Sequence, residues 1–114
     1  MKRGLIGSVI SDAKHLGELR YRGRQVENQL REITIRSKRE TEKLTWKPSR
    51  RVLADMARPA VIAVVREHER AVRDHVEYIA RTRRLLEEEL QEIQRLTSEV
   101  EAELSETLER LERA

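Results

Sequence analysis

Apolar residues in the C-terminal half of the chain recur at alternating steps of four and three, the heptad spacing of a coiled-coil helix. Neither glycine nor proline follows Pro59. The pattern therefore predicts one long helix over about 59–114, roughly 80 Å in length at 1.5 Å per residue. Its seam consists of Val72, Val76, Ile79, Arg83, Leu86, Leu90, Ile93, Thr97, Val100, Leu104, Thr107 and Leu111.

A second, weaker heptad pattern occupies the N-terminal part of the chain. Its seam consists of Leu16, Leu19, Gly23, Val26, Leu30, Ile33, Ser37, Glu40 and Leu44. This spacing predicts a helix over about 5–44, with a seam that becomes polar beyond Ile33. Gly17 and Gly23 each weaken that helix by about 1 kcal/mol relative to alanine. Because Gly23 lies on the seam, we expect another helix to approach closely there.

A break separates the two patterns. Pro48 disfavours helix at Lys47, and Ser49 is a suitable N-cap for a short helix over about 50–57. Pro59 then either opens the long helix at its first turn or kinks a continuous one.

These patterns divide the chain into three parts. Residues 1–44 form an N-terminal amphipathic and basic helix, 45–58 a basic elbow with a short helix, and 59–114 a long acidic coiled-coil helix. The predicted fold class is all-α, an elongated helical hairpin or coiled coil with a long C-terminal helix in an oligomeric bundle.

A hairpin that bends near 45–58 would place Leu16 opposite about residue 88. The long helix would then extend about ten residues beyond its partner, and its last leucines would need a second copy to cover them. We therefore expect a homo-oligomer. The predicted interface consists of Val72, Val76, Ile79, Leu86, Leu90, Ile93, Val100, Leu104 and Leu111.

Charge is unevenly spread along the chain. Residues 1–58 carry a net charge of +8, whereas residues 59–114 carry −5. The seam of the first helix is flanked by cations and that of the long helix by carboxylates, which favours pairing the two helices within one chain or between chains. These flanking residues are Arg20, Arg22, Arg36 and Lys43, and Glu87, Glu89, Glu101 and Glu103.

Composition supports long helices and argues against a compact globule. Charged residues make up 39% of the chain, and its aromatic residues are one Trp and two Tyr. The longest apolar run, 60–65, is far shorter than the roughly 20 residues that span a bilayer. The apolar N-terminal stretch is too short for a signal peptide. We expect a soluble protein, in the cytoplasm or within an assembled particle.

Candidate chemistry is sparse. Cysteine is absent, which excludes thiolate sites. His68 and His75 lie about 10 Å apart along one helix, too far for joint chelation, and we expect both to be solvated. No nucleophile elbow or phosphate loop occurs in the sequence. We therefore expect a non-enzymatic protein without catalytic residues, metal site, cofactor or small-molecule substrate.

The elbow is the strongest candidate polar site. Residues 36–51 carry a net charge of +5 with Trp46 among them. Clustered cations with an interleaved aromatic residue are typical of phosphate-backbone binding with base stacking. Alternatively, Trp46 packs into the bend while the cations stay solvated or meet another acidic partner, including another copy's C-terminal helix. The candidate residues are Arg36, Lys38, Arg39, Lys43, Trp46, Lys47, Arg50 and Arg51.

The N-terminus is a second candidate. An apolar face follows Lys2 and Arg3 and consists of Leu5, Ile6, Val9, Ile10, Ala13 and Leu16. Such a face either docks on the long helix or lies in a membrane interface, which would make the protein a peripheral membrane protein.

The sequence as a whole favours a structural or assembly protein. In this interpretation a helical subunit self-associates through its C-terminal coiled coil and docks on an acidic partner through its basic elbow. It would be a repeating component of a larger particle or filament. A nucleic-acid-binding protein that grips phosphates with residues 36–51 is the main alternative.

Overall fold

A computed structural model of the chain describes residues 2–44 and 50–114. It contains three helices, α1 (Lys2–Leu44), α2 (Arg50–Ala54) and α3 (Arg58–Arg113). No strand occurs in the described ranges. The predicted all-α class and the long C-terminal helix are confirmed.

Proline opens α3 and does not kink it. Pro59 is the second residue of α3, in the first turn, where a backbone N–H would have no helical acceptor. The carbonyl of Ala57 accepts hydrogen bonds from the N–H groups of Ala60 at 2.9 Å and Val61 at 3.1 Å. These bonds form the first turn of α3.

Both long helices contribute to two separate packed units. Residues 1–30 and 85–114 form one unit, which we call the terminal unit, and residues 31–84 form the other, which we call the elbow unit. In each unit a segment of α1 packs antiparallel to a segment of α3.

The terminal unit contains most of the buried apolar side chains of the described residues. Leu16, Leu19 and Val100 form a cluster on which Leu96 and Leu104 pack. This core corrects two expectations, because Leu16 lies beside Val100 and not opposite residue 88, and Leu104 is covered by α1. The predicted ten-residue overhang is therefore wrong.

The observed register is explained by the apolar pattern of α1, which continues from Leu16 towards the N-terminus. Leu5 and Val9 continue the heptad spacing of the seam towards the N-terminus, and both are half-buried. Shifting α3 along α1 covers Leu111, which is also half-buried. The observed register therefore removes from water apolar surface that the expected register would have left exposed.

The elbow unit has a thinner core. Ile79 is the buried hydrophobic residue that its described part contributes. Two polar contacts join its helices: Arg83 donates to the Thr34 hydroxyl at 3.3 Å, and Glu40 contacts His75. In the heptad notation in which Val76 is an a position, the buried face of α3 here runs through d and g positions. In the terminal unit it runs through a and d.

Candidate interaction surfaces

The nine residues of the predicted oligomer interface have different environments. Ile79, Ile93 and Val100 are buried within the chain, all at d positions. Val76 is 56% exposed. The rest are half-buried, and these are Val72, Leu86, Leu90, Leu104 and Leu111. Packing within the chain therefore already covers the centre of this seam, while its a positions remain partly accessible.

His75 is not solvated, contrary to our expectation. Its side chain is 12% exposed, and its Nδ1 atom lies 3.2 Å from an oxygen of Glu40. The same carboxylate accepts a hydrogen bond from Arg36 at 3.2 Å. The seam of α1 is polar at this level, and α3 presents a histidine to it. His68, one heptad earlier, is half-buried.

A groove of about 390 Å³ runs between the two helices of the terminal unit. Gly23 lines it together with the apolar residues Leu19, Leu90 and Ile93. Its rim is polar and includes Arg20 and Glu101, whose guanidinium and carboxylate are 3.1 Å apart. Both of these residues are e positions when Leu16 of α1 and Val76 of α3 are counted as a positions. We call the flank of the terminal unit that is formed by e and b positions of both helices the e side, because e rows face each other in an antiparallel pair.

Large apolar side chains lie exposed on the e side of the terminal unit. Ile10 is 63% exposed, Leu108 is 43% exposed, and Ile6 is also exposed. Because the helices are antiparallel and Gly23 lies against Ile93, Ile6 is level with about residue 110 of α3 and Ile10 with about residue 106. These two levels are on either side of Leu108. We call these three side chains the apolar patch.

The charged flanks pair the two helices in the terminal unit as predicted. Arg20 bonds to Glu101, and Arg22 bonds to Glu89 through its Nε atom at 2.9 Å. Arg36 instead pairs with Glu40 on its own helix.

Further ion pairs lie along α3 itself. Arg95 contacts Glu92 and Glu99. Its hydrogen bond lowers the pKa of the Glu92 carboxyl below the ordinary value, and the two carboxylates raise the pKa of the Arg95 guanidinium. Arg110 contacts Glu106 one turn away at 2.8 Å. Five of the ten glutamates of residues 85–114 thus contact an arginine of the same unit.

The predicted polyanion-binding residues lie in the elbow unit. Lys38, Arg39 and Lys43 are exposed on the last turns of α1, and Arg51 is exposed on α2. The guanidinium of Arg36 is committed to Glu40. Trp46 and Lys47 lie outside the described residues, and Arg50 is placed in α2 by its backbone alone.

The N-terminal apolar face is divided by the fold. Leu16 is buried and Leu5 and Val9 are half-buried, so this row docks on α3. Ile6, Ile10 and Ala13 remain exposed. Neither long helix contains, over its described residues, a stretch apolar enough to cross a membrane.

Comparisons with family models, curated proteins and solved structures find no match for this chain. Among the described residues, no three acidic or histidine side chains are grouped so as to hold a metal ion. Functional inference therefore rests on the surfaces described above.

Proposed function

We propose that this protein is a non-enzymatic assembly subunit that self-associates into a homo-oligomer and forms a repeating part of a larger particle or filament. The observation that supports this most directly is the apolar patch, in which Ile10 is 63% and Leu108 43% exposed. Large apolar side chains grouped on a protein surface are typical of protein–protein contact sites.

The apolar patch and the half-buried a positions of α3 supply the apolar part of this interface. Leu104 and Leu111 are covered by α1 on one flank, and Ile10 and Leu108 extend the same apolar surface into solvent. Two helices cannot cover a stripe this wide, whereas a bundle of more helices can. A second copy that packs its own apolar patch on this one would cover the patch and the half-buried a positions of both copies.

The test measures the mass of the purified full-length chain by light scattering coupled to size-exclusion chromatography. We expect a multiple of the 13.5 kDa protomer mass. The variant Ile10→Glu/Leu108→Glu should shift to the protomer mass, because two carboxylates would have to be desolvated in the interface. Both side chains are exposed in the protomer, so its helicity should be unchanged.

Tyr21→Glu/Ile35→Glu is the matched control, since it adds the same charge at exposed apolar positions on the outer face of α1. It should keep the mass of the parent protein. A parent protein that stays monomeric at about 100 µM, a concentration above the range of most specific dissociation constants, would refute self-association.

The docking half of the proposal concerns the basic elbow unit. Residues 31–84 carry 15 Lys/Arg against 8 Asp/Glu, a net charge of +7. Residues 1–30 and 85–114 carry 9 against 13, a net charge of −4. This separation supports an acidic partner for the elbow unit, and nucleic acid remains the second candidate function for that reason.

A further inference from the structure

The apolar patch and the groove of the terminal unit lie on the same flank, the e side. Every residue that lines the groove is at an a, d, e or b position, and the three side chains of the patch are at e and b positions. The four a positions of α3 beside this flank, from Leu90 to Leu111, are half-buried. The other large exposed hydrophobic side chains of the unit, Tyr21 and Leu85, stand singly at f and c positions. Uncovered apolar surface is therefore concentrated on the e side.

The e side also divides its charges between the two helices. Its α1 part carries three arginines and one glutamate, a net charge of +2, and its α3 part carries three glutamates, a net charge of −3. These residues are Arg3, Arg20, Arg24 and Glu27, and Glu87, Glu101 and Glu112. Arg20 and Glu101 pair within the chain, whereas the other five are exposed and form no ion pair with another described residue. The flank therefore has a basic half and an acidic half, with five charged groups available to another molecule.

Two copies can place their e sides together about a two-fold axis in two ways. With the axis parallel to the helices, α1 of each copy lies on α3 of the other copy. With the axis across the helices, α1 lies on α1 and α3 lies on α3. The first arrangement brings the basic half of each flank onto the acidic half of the other, whereas the second brings like charges together. Charge complementarity therefore selects the first arrangement.

We propose that the e side of the terminal unit binds a second copy of this chain in parallel, with α1 of each copy packed on α3 of the other. This inference rests on the proposed self-association and adds its surface and its orientation. Equal levels meet in the parallel arrangement, so Ile6 and Ile10 of one copy lie on Leu108 of the other, and the resulting four-helix bundle covers the a positions of α3. The contact is isologous and closes as a dimer, which leaves growth into a larger particle to the elbow unit.

The unpaired charges of the e side find partners in this dimer. In the observed register Arg3 is level with about residue 113 of α3, so it lies beside Glu112 of the other copy. Arg24 is level with about residue 92, within reach of Glu87 of the other copy. Glu27 is level with about residue 89 and is the one charged side chain of this flank that meets a like charge. The two arginines therefore contribute to the contact between the copies, and reversing their charge should oppose it.

The first test measures the dissociation constant of the dimer by light scattering on a dilution series of the full-length protein. We expect twice the 13.5 kDa protomer mass at high concentration. Arg3→Glu/Arg24→Glu makes both halves of the e side acidic and should raise the dissociation constant about tenfold or more. Adding Glu87→Arg/Glu112→Arg to that variant reverses both halves and should restore the dimer. All four side chains are exposed, so circular dichroism should show unchanged helicity.

Lys14→Glu/Arg113→Glu is the matched control, since it makes the same charge change at exposed f and c positions of the same unit, off the e side. It should keep the dissociation constant of the parent protein. In the arrangement with α1 on α1, Arg3→Glu/Arg24→Glu would also leave the constant unchanged, because two rows of equal charge repel equally for either sign.

A second test reads the orientation directly and uses the absence of cysteine from the chain. Ala13 is level with about residue 103 of α3, close to the level of Ser105, and both residues are exposed on the e side. Air oxidation of an equal mixture of Ala13→Cys protein and Ser105→Cys protein should give a disulfide-linked dimer. Neither single variant should form that dimer alone, because each cysteine of the parallel dimer faces the other helix.

Three results would overturn the parallel dimer while leaving self-association intact. These are a dissociation constant unchanged by Arg3→Glu/Arg24→Glu, no recovery in the four-site variant, and a disulfide-linked dimer formed by Ala13→Cys protein alone. A parent protein that stays monomeric would instead refute self-association and this inference with it, and would assign the e side to a different protein partner.

Discussion

Gly23 of α1 lies directly against Ile93 of α3, and a Cβ atom added at Gly23 would meet the Ile93 Cγ2 atom at 3.5 Å. That distance is ordinary van der Waals contact, so the helices approach closely but leave room for a methyl group. The sequence predicted a close helix crossing that would explain Gly23, but the observed distance does not require glycine at this position.

Gly23→Ala should therefore stabilise the chain by about 1 kcal/mol, because alanine restricts the unfolded backbone and favours helix. The gain would appear as a rise of several degrees in the thermal midpoint followed by circular dichroism. Gly17→Ala, at a position with open space around it, is the control and should give a similar gain. Gly23→Leu should destabilise the chain, since its larger side chain must displace Ile93.

Alanine substitutions at Val26 and Val76 test which seam positions are packed in the protomer. Val26 is fully buried in the terminal unit and Val76 is 56% exposed. Val26→Ala should lower the free energy of unfolding by about 2 kcal/mol, as two buried methyl groups are lost. Val76→Ala should stay within about 0.5 kcal/mol of the parent protein. Urea titration at a protein concentration that keeps the chain monomeric measures the free energy of unfolding of both variants. Equal decreases in the two variants would contradict the difference in burial between Val26 and Val76.

The Glu92–Arg95 contact predicts a pH dependence. Arg95 holds the pKa of the Glu92 carboxyl below its unfolded value, so the stabilisation is present above the unfolded pKa and is lost as pH falls through the folded pKa. Arg95→Gln should return the Glu92 pKa towards its ordinary value. NMR titration of the Glu92 carboxyl carbon measures the change.

Arg110→Gln, which removes another contact on the same helix, should leave the Glu92 titration unchanged. An unchanged Glu92 pKa in Arg95→Gln would show that the hydrogen bond does not persist in solution. Raising the salt concentration should reduce the difference between the two proteins, because the pair is exposed and screened.

For the polyanion-binding candidates, the sequence predicted a group of cations but not how the fold distributes them. A window of consecutive residues identified the cations of 36–51, because they are close in sequence. The fold then distributes these cations, because Arg36 pairs with Glu40 on its own helix while Lys38, Arg39 and Lys43 stay exposed. That outcome depends on which carboxylate lies within reach of each cation, and a window of consecutive residues does not contain this information.

The sequence by itself determined the all-α class, the long C-terminal helix, the position of Gly23 on the seam and the pairing of Arg20 and Arg22 with glutamates of α3. Heptad spacing and charge are local properties, and a helix converts them directly into faces. The tertiary structure decided the register of the two helices, and with it the cover over Leu104 and the enclosure of His75. Register depends on the sum of all contacts along both helices, so a twelve-residue shift that covers more apolar surface is favoured over the alignment that the bend alone suggested.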